Sequence, residues 1–371
     1  MDFAFSDEQE ELRDTVRSFL GRRSTPADVR RLMADARGYD EETWRLMAGQ
    51  LGLQGLALPE EYGGSGFGLV ELGVVMEEMG RALLCGPFLS SAVLAAQAVL
   101  ASADRQACKD LLPGIASGET VATLAVTEQS GHWTADGIAL SAEHTAGEWR
   151  LTGRKYYVPD GHVADLVLVA ARTAQGVSLF AVDANAPGLT REALPTLDLT
   201  RKQAMLDFQV VPARLLGADG AAWPALRRAL DIAVIALAVE QVGGAFAALD
   251  MAVDYAKTRV QFGRVIGSFQ AVKHQCADML VAAESARATA HHALWAAATD
   301  APDLRVVASG AKAYCSEAFT RCAEANVQIH GGIGFTWEHS AHLYLKRAKS
   351  AEIFLGAPRE HRELLAQAAG F

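Results

Sequence analysis

Gln328–Gly356 reads QIHGGIGFTWEHSAHLYLKRAKSAEIFLG: a glycine-rich turn, then a helix and that helix's end. Gly331, Gly332 and Gly334 carry no Cβ, so a ligand can approach their backbone closely. Thr336 is placed to cap the helix, with His339 and the polar residues after it on the first turns. Leu343, Leu345, Ala348, Ile353 and Phe354 carry the apolar pattern on to Leu355-Gly356. Taken alone, a GGxG is more often an ordinary helix–helix turn than a binding site. A second stretch, Arg259–Gln270 with the sequence RVQFGRVIGSFQ, shifts that balance.

Together the two stretches resemble the acyl-CoA dehydrogenase family, whose members use a flavin to make the α,β double bond of a CoA thioester. Near the N-terminus, MDFAFSDEQEELRDTVRSFL and Leu51–Gly68 (LGLQGLALPEEYGGSGFG) resemble the family's opening helices and the loop after them. The resemblance spans the whole chain. It implies an α+β fold with an N-terminal helical domain (1–118), a middle β domain (119–222) and a C-terminal four-helix bundle (223–371).

Composition is consistent with that plan. A chain of 371 residues, half of them hydrophobic, suits two or three packed units. The net charge of −10 favours neither nucleic acid nor an anionic membrane surface. Asp2, Asp7 and Glu8 stand where a secretory leader would be basic. The most apolar run, Ile232–Val239, is 8 residues long, too short to span a bilayer. Five cysteines without a CxxC read as reduced thiols in a cytoplasmic protein.

In chain order, Ser6 with Gln9 makes a capping box ahead of Leu12, Val16, Phe19 and Leu20. Asp40 opens a helix carrying Trp44, Met47 and Leu51, and Pro59–Gly66 is a loop. Val70–Leu84 and Ser91–Leu100 are apolar helices. Glu77-Glu78 reads as a solvated face or an interface charge rather than an acid/base pair, since adjacent helical residues point about 100° apart. From Val121, the runs VATLAV, EWRLTG, DLVLVAA, VSLFAVD and AMLDFQVV read as strands. Ala204, Leu206, Phe208 and Val210 alternate as on a sheet with one wet face. Long helices follow: from Pro224 to about Tyr255, about Phe269–Thr299, about Leu304–Ile329, the helix after GGIGF, and a tail over Arg359–Ala369.

A dinucleotide needs donors for its pyrophosphate and a surface for its adenine. Arg259 offers a permanently charged fork, Phe262 an apolar face and Gln270 a side-chain amide. The resemblance implies that these residues, with Gln328 and Gly332, bind FAD across a subunit interface. In the middle domain the chain departs from the family's T-E-x-x-x-G-S-D. Here Thr127-Glu128 is followed by His132 and Trp133 where small residues belong. On the next strand, Tyr157-Val158-Pro159 ends in a residue with neither hydroxyl nor N–H to offer flavin N5.

Dehydrogenation needs a carboxylate to take the α proton as hydride leaves the β carbon. Most of the family carries that Glu just before the Gly that ends the final long helix; here the position is Leu355. The alternative family position, on the first long C-terminal helix, is Ala233, with Val234 after it. Glu240, seven residues further along an apolar helix, remains. Burial would raise its pKa and suit a general base. Against that stands a structural Glu paired across a helix interface, or one beside a close contact at Gly243-Gly244. Asp231 lies on another face and is the weaker candidate.

The residues that the family donates to a neighbour's FAD are thus present, and those that build the chain's own active site are altered. One expectation is the base-lacking half of an α2β2 enzyme, completed by a second acyl-CoA dehydrogenase subunit. EEMGRALLCGPFLSS and QIHGGIGFTWEHSAHLYLKRA resemble the branch that acts on bulky steroid side-chain CoA thioesters. The resemblance also implies an electron-transfer flavoprotein as redox partner. Two alternatives stay open: a self-sufficient homotetramer using Glu240, and a non-redox acyl-CoA-binding or structural homologue.

Overall fold

The computed structural model describes residues 5–371, so Asp2 lies outside the described residues. Helix α1 (Asp7–Arg23) begins with the expected capping box: the Gln9 N–H donates to the Ser6 hydroxyl and the Ser6 N–H to the Gln9 side chain. Val16, Phe19 and Leu20 form its buried stripe. After α2 (Pro26–Ala34), Asp40 caps α3 (Glu41–Gly49), which buries Trp44 and Met47 and stops short of Leu51. Helix α4 is Leu69–Arg81. The next helix departs from the expected pattern: a fully buried π-helical run, Leu89–Ala95, leads into α5 (Ala96–Ala101). Asp104 then caps α6 (Arg105–Ala116).

Seven strands follow: β1 (Ala122–Ala125), β2 (Ser141–Thr145), β3 (Glu148–Pro159), β4 (Leu166–Arg172), β5 (Val177–Asp183), β6 (Leu189–Ala193) and β7 (Gln203–Leu216). The sequence patterns missed β2 and β6, whose residues are mostly exposed and show no apolar alternation. Strands pair in the order β1-β4-β2-β3-β7-β5, β6 adds to β7, and β4 also pairs with β5. The pairings therefore close on themselves. The alternation expected along β7 holds for Ala204, Leu206 and Phe208 and fails at Val210, which is 60% exposed. A β-bulge opposite β3 puts Val210 at φ +58° and turns Val211 inward instead.

The C-terminal part comprises α7 (Trp223–Thr258), a hairpin of β8 (Val260–Gln261) and β9 (Arg264–Val265), α8 (Gln270–Ala298), α9 (Leu304–His330), α10 (Ala341–Ile353) and α11 (Pro358–Ala368). One expectation fails here. Thr336 does not cap α10: its N–H and hydroxyl both donate to Ile333 O, closing the preceding 3-10 turn, and α10 starts five residues later, where His339 Nδ1 accepts the Ala341 N–H. Ile353 is exposed, because the helix ends there.

By compactness the chain divides into two units: residues up to 31, 69–84 and 234–371, and residues 32–68 with 85–233. The second holds the sheet. In the first, α4 and α7 cross backbone to backbone. A Cβ on Gly243 would lie 1.8 Å from Glu77 O, and one on Gly80 would lie 1.9 Å from Glu240 O. Glu77 and Glu78 are both buried, so of their two readings the interface one holds. His291 Nε2 lies 3.0 Å from Glu77, and Arg17 grips Glu78 with two bonds of 2.7 and 2.9 Å. Helix α7 is long and apolar enough to cross a membrane, but 89% of its apolar window is buried within the protein. The five cysteines are free thiols.

Gly80→Ala is expected to cost about 3 kcal/mol or more, since two backbones must separate. Gly310→Ala, with open space at its Cβ inside α9, is expected to stabilise by up to about 1 kcal/mol. Urea unfolding of the two variants checks both signs.

Candidate functional site

The Arg259–Gln270 stretch forms a two-residue hairpin. Phe262 and Gly263 sit at its tip with φ of +53° and +75°, the left-handed pair that a type I′ turn requires. A bulky non-glycine residue there costs on the order of 1 kcal/mol. Phe262 nevertheless presents its ring to solvent, 91% exposed. Arg259 is exposed and makes no side-chain hydrogen bond or ion pair with the described residues. Gln270 opens α8, whose first turn has no side-chain cap, so its N–H groups face outward at the positive end of a long helix.

Gln328 is exposed on the last turn of α9, and Gly331 and Gly332 follow it with open space where a Cβ would be. The two stretches meet through rings. Tyr255, one turn before Arg259, stacks on His330 with centroids 4.2 Å apart, and His330 lies 4.2 Å from His339. Burial holds His330 below its ordinary pKa despite the bond from Nδ1–H to Asn326 O. Burial, then His330 and Arg30, do the same to His339. Burial, with Lys346, Arg30 and His339, takes His342 down to about 4. Among the described residues, no cluster of His, Cys, Asp and Glu could hold a metal.

Leu355, at the family's base position, is buried with φ +61° in the turn that ends α10. A fully buried lysine holds that turn: Lys312 Nζ lies 3.0 Å from Ser316 Oγ and from the carbonyl oxygens of Ala351, Glu352 and Gly356. These carbonyls would otherwise be orphaned at a helix end. Burial pushes Lys312 down to about 7, while an all-oxygen shell favours the ammonium. His361 Nε2 lies 2.9 Å from Leu355 O, on the other side of the same turn.

Glu240 is 4% exposed, and its carboxylate accepts from the Arg347 guanidinium of α10. Arg347 also donates to Leu84 O. This is a buried ion pair across the interface of α7 and α10. Ala233 and Val234, the alternative base position, are buried and apolar.

In the sheet-bearing unit, Glu128 accepts from Lys155 Nζ at 2.8 Å and from the Ala139 and Leu140 N–H groups, closing the loop that carries His132 and Trp133. Glu128 is held below its ordinary pKa: burial opposes this, and the Lys155 charge and bond with the two backbone N–H groups outweigh it. Burial outweighs the same pairing at Lys155 and takes it down to about 8. His132 is exposed and Trp133 half-buried. Pro159 is buried, its carbonyl accepting from Thr123, and Tyr157 is pushed outward by a bulge at φ +57°.

Sequence profiles of the acyl-CoA dehydrogenase N-terminal, middle and C-terminal domains match residues 6–119, 123–210 and 220–370. The chain belongs to the acyl-CoA dehydrogenase family. It is similar to the acyl-CoA dehydrogenase IpdE2 of Mycobacterium tuberculosis, 38% identical over 95% of both chains. Among solved structures it is similar to the steroid ACAD Tcur3481–Tcur3483 (35% identity, TM-score 0.88, 98% of this chain and 99% of that one). It is also similar to the ChsE4–ChsE5 complex of Mycobacterium tuberculosis (29% identity, TM-score 0.91, 100% and 99%). As a member of this family of oxidoreductases acting on acyl-CoA, the chain has FAD as its cofactor. Arg259, Phe262, Gln270 and Gln328 are exposed and Gly332 has open space where a Cβ would be, features that fit an FAD contact surface.

The sequence patterns passed over Lys312, Arg347, Lys155 and Tyr255. A usable signal existed for two of them. Lys312 falls with Ala308 and Phe319, and Arg347 with Leu343 and Ala351, on otherwise apolar helical faces.

Arg347→Ala is expected to cost about 3–5 kcal/mol, because it strands a buried carboxylate. Glu128 contributes stability that is present above its unfolded value of about 4.3 and lost as pH falls through its lower folded value. Glu128→Gln is therefore expected to be less stable than wild type at pH 7 and to lose less on acidification. Urea unfolding at neutral and acid pH would show parallel losses if the pair contributed nothing.

Proposed function

We propose that this chain is the base-lacking half of a mixed acyl-CoA dehydrogenase assembly, acting on a bulky acyl-CoA such as a steroid side-chain thioester. The observation that carries this reading is Leu355: an apolar residue, buried, in the turn where the family places its general base. Glu240 is engaged with Arg347 and is assigned a structural role, which weighs against the self-sufficient homotetramer. Similarity to a steroid ACAD and to a two-component complex supports both the substrate class and the mixed assembly. The domain limits assigned are 1–118, 119–222 and 223–371.

In this reading Arg259 meets the pyrophosphate of the partner's FAD, Phe262 covers the adenosine, and Gln270, Gln328 and Gly332 complete the contact. FAD supplies the hydride acceptor when bound. This chain's residues bind and orient it, while the partner contributes the base. An electron-transfer flavoprotein is the proposed redox partner.

The test is FAD content by absorbance, for the chain alone and co-purified with a second acyl-CoA dehydrogenase subunit. The expected result is little flavin alone and about one FAD per two chains in the complex. One FAD per chain on the isolated protein would sink the half-site reading, and no flavin with any partner would favour the non-redox alternative. Arg259→Ala is expected to weaken FAD retention in the complex by roughly tenfold or more. Glu240→Gln is expected to lower stability yet leave turnover per folded complex intact; abolished turnover in a folded complex would restore Glu240 as the base.

A further inference from the structure

We propose that His330 is a positioning residue for the FAD surface: clamped between Tyr255 and His339, its ring holds the Arg259–Gln270 hairpin in register with the Gln328–Gly332 turn. The inference rests on the FAD-donating reading and extends it to residues that do not touch the cofactor.

The contact residues come from two elements, one after α7 and one at the end of α9, and bind one ligand only if their spacing is set. The hairpin's own ties are local. Ile266 N–H donates to Arg259 O, Ser268 donates to Val265 O, and the Arg264 guanidinium lies 4.0 Å above the Phe269 ring. None of these reaches α9. The tie to α9 nearest the hairpin on α7 is Tyr255, whose carbonyl accepts the Arg259 N–H at 2.8 Å and whose ring faces His330 at an interplanar angle of 27°.

His330 is suited to act as the clamp. It is 4% exposed and stands two residues before Gly332. Its Nδ1–H is spent on Asn326 O at 2.9 Å, which sets the ring plane. Asn326 in turn donates to Met251 Sδ on α7 at 3.4 Å, so a second tie runs parallel to the ring contact. Gly334 folds back onto the same side chain, since a Cβ there would lie 2.8 Å from His330 Cβ. His339 closes the far face and, through its Nδ1, holds the first N–H of α10. Removing the middle ring takes away both ring contacts; replacing it with another flat ring of similar size keeps them.

The test compares wild type, His330→Ala and His330→Phe. Amide exchange is read on the chain alone over 258–268 and 328–336, and FAD retention on the mixed complex. The expected result for His330→Ala is exchange about tenfold faster in both segments together, with α8 unchanged, and FAD bound about tenfold more weakly. His330→Phe is expected to restore both. If His330→Ala does not fold, Tyr255→Leu removes the adjoining ring and is read in the same way. Unchanged hairpin exchange in the Ala variant, or a Phe variant as impaired as Ala, overturns the proposal. A wild-type complex without FAD overturns the donating reading instead, and the exchange coupling then decides the clamp by itself.

Discussion

The helical unit depends on one crossing. Gly80 of α4 and Gly243 of α7 each face the other helix's carbonyl at a distance that leaves no room for a methyl group. Close approach brings the two backbones into van der Waals contact and fixes the axial position of α7. Everything carried by α7 is then placed. Glu240 meets Arg347 of α10, and Gln241 donates to Ser316 of α9. Tyr255, twelve residues past Gly243 and so about 18 Å along the axis, arrives beside His330. The Arg259–Gln270 hairpin thus hangs from the end of a helix whose register is set by two glycines.

The buried cations are met in two ways. Arg347 and Lys155 each have a carboxylate and a carbonyl, whereas Lys312 has only neutral oxygens. Lys312 ties together the end of α10 and the turn at Leu355-Gly356, where the family resemblance places the base and an apolar residue stands. A leucine in the left-handed region carries some strain, and its burial offsets that strain with the area of a whole side chain.

The same logic separates the two faces of the candidate site. Residues proposed to serve a neighbour's cofactor are exposed and lie on a hairpin tip or a helix end, where a ligand or a second chain can reach them. Residues at the family's own base positions are buried and satisfied. Glu240 is buried with its carboxylate bonded to the Arg347 guanidinium.

Local pattern was enough to find the helices, most strands, the caps at Ser6 and Asp40, and the glycine turns, because these depend on period, turn chemistry and side-chain caps within a few residues. The FAD-contact candidates and the apolar residue at Leu355 came instead from the family resemblance, which says only which residue stands where. Pairing could not be read that way. The partner of Glu240 is 107 residues away, that of Glu128 is 27 away, and Lys312 binds carbonyls some 40 residues on, none of which any short window contains. Strands β2 and β6 were invisible because exposed strands owe their state to neighbours rather than to apolar alternation. The bulge at Val210 reversed an inference that a regular pleat would have supported. Periodicity, turns and caps were legible in the residues because they are local; which charges pair was decided only when the helices packed, because the partners are far apart in sequence.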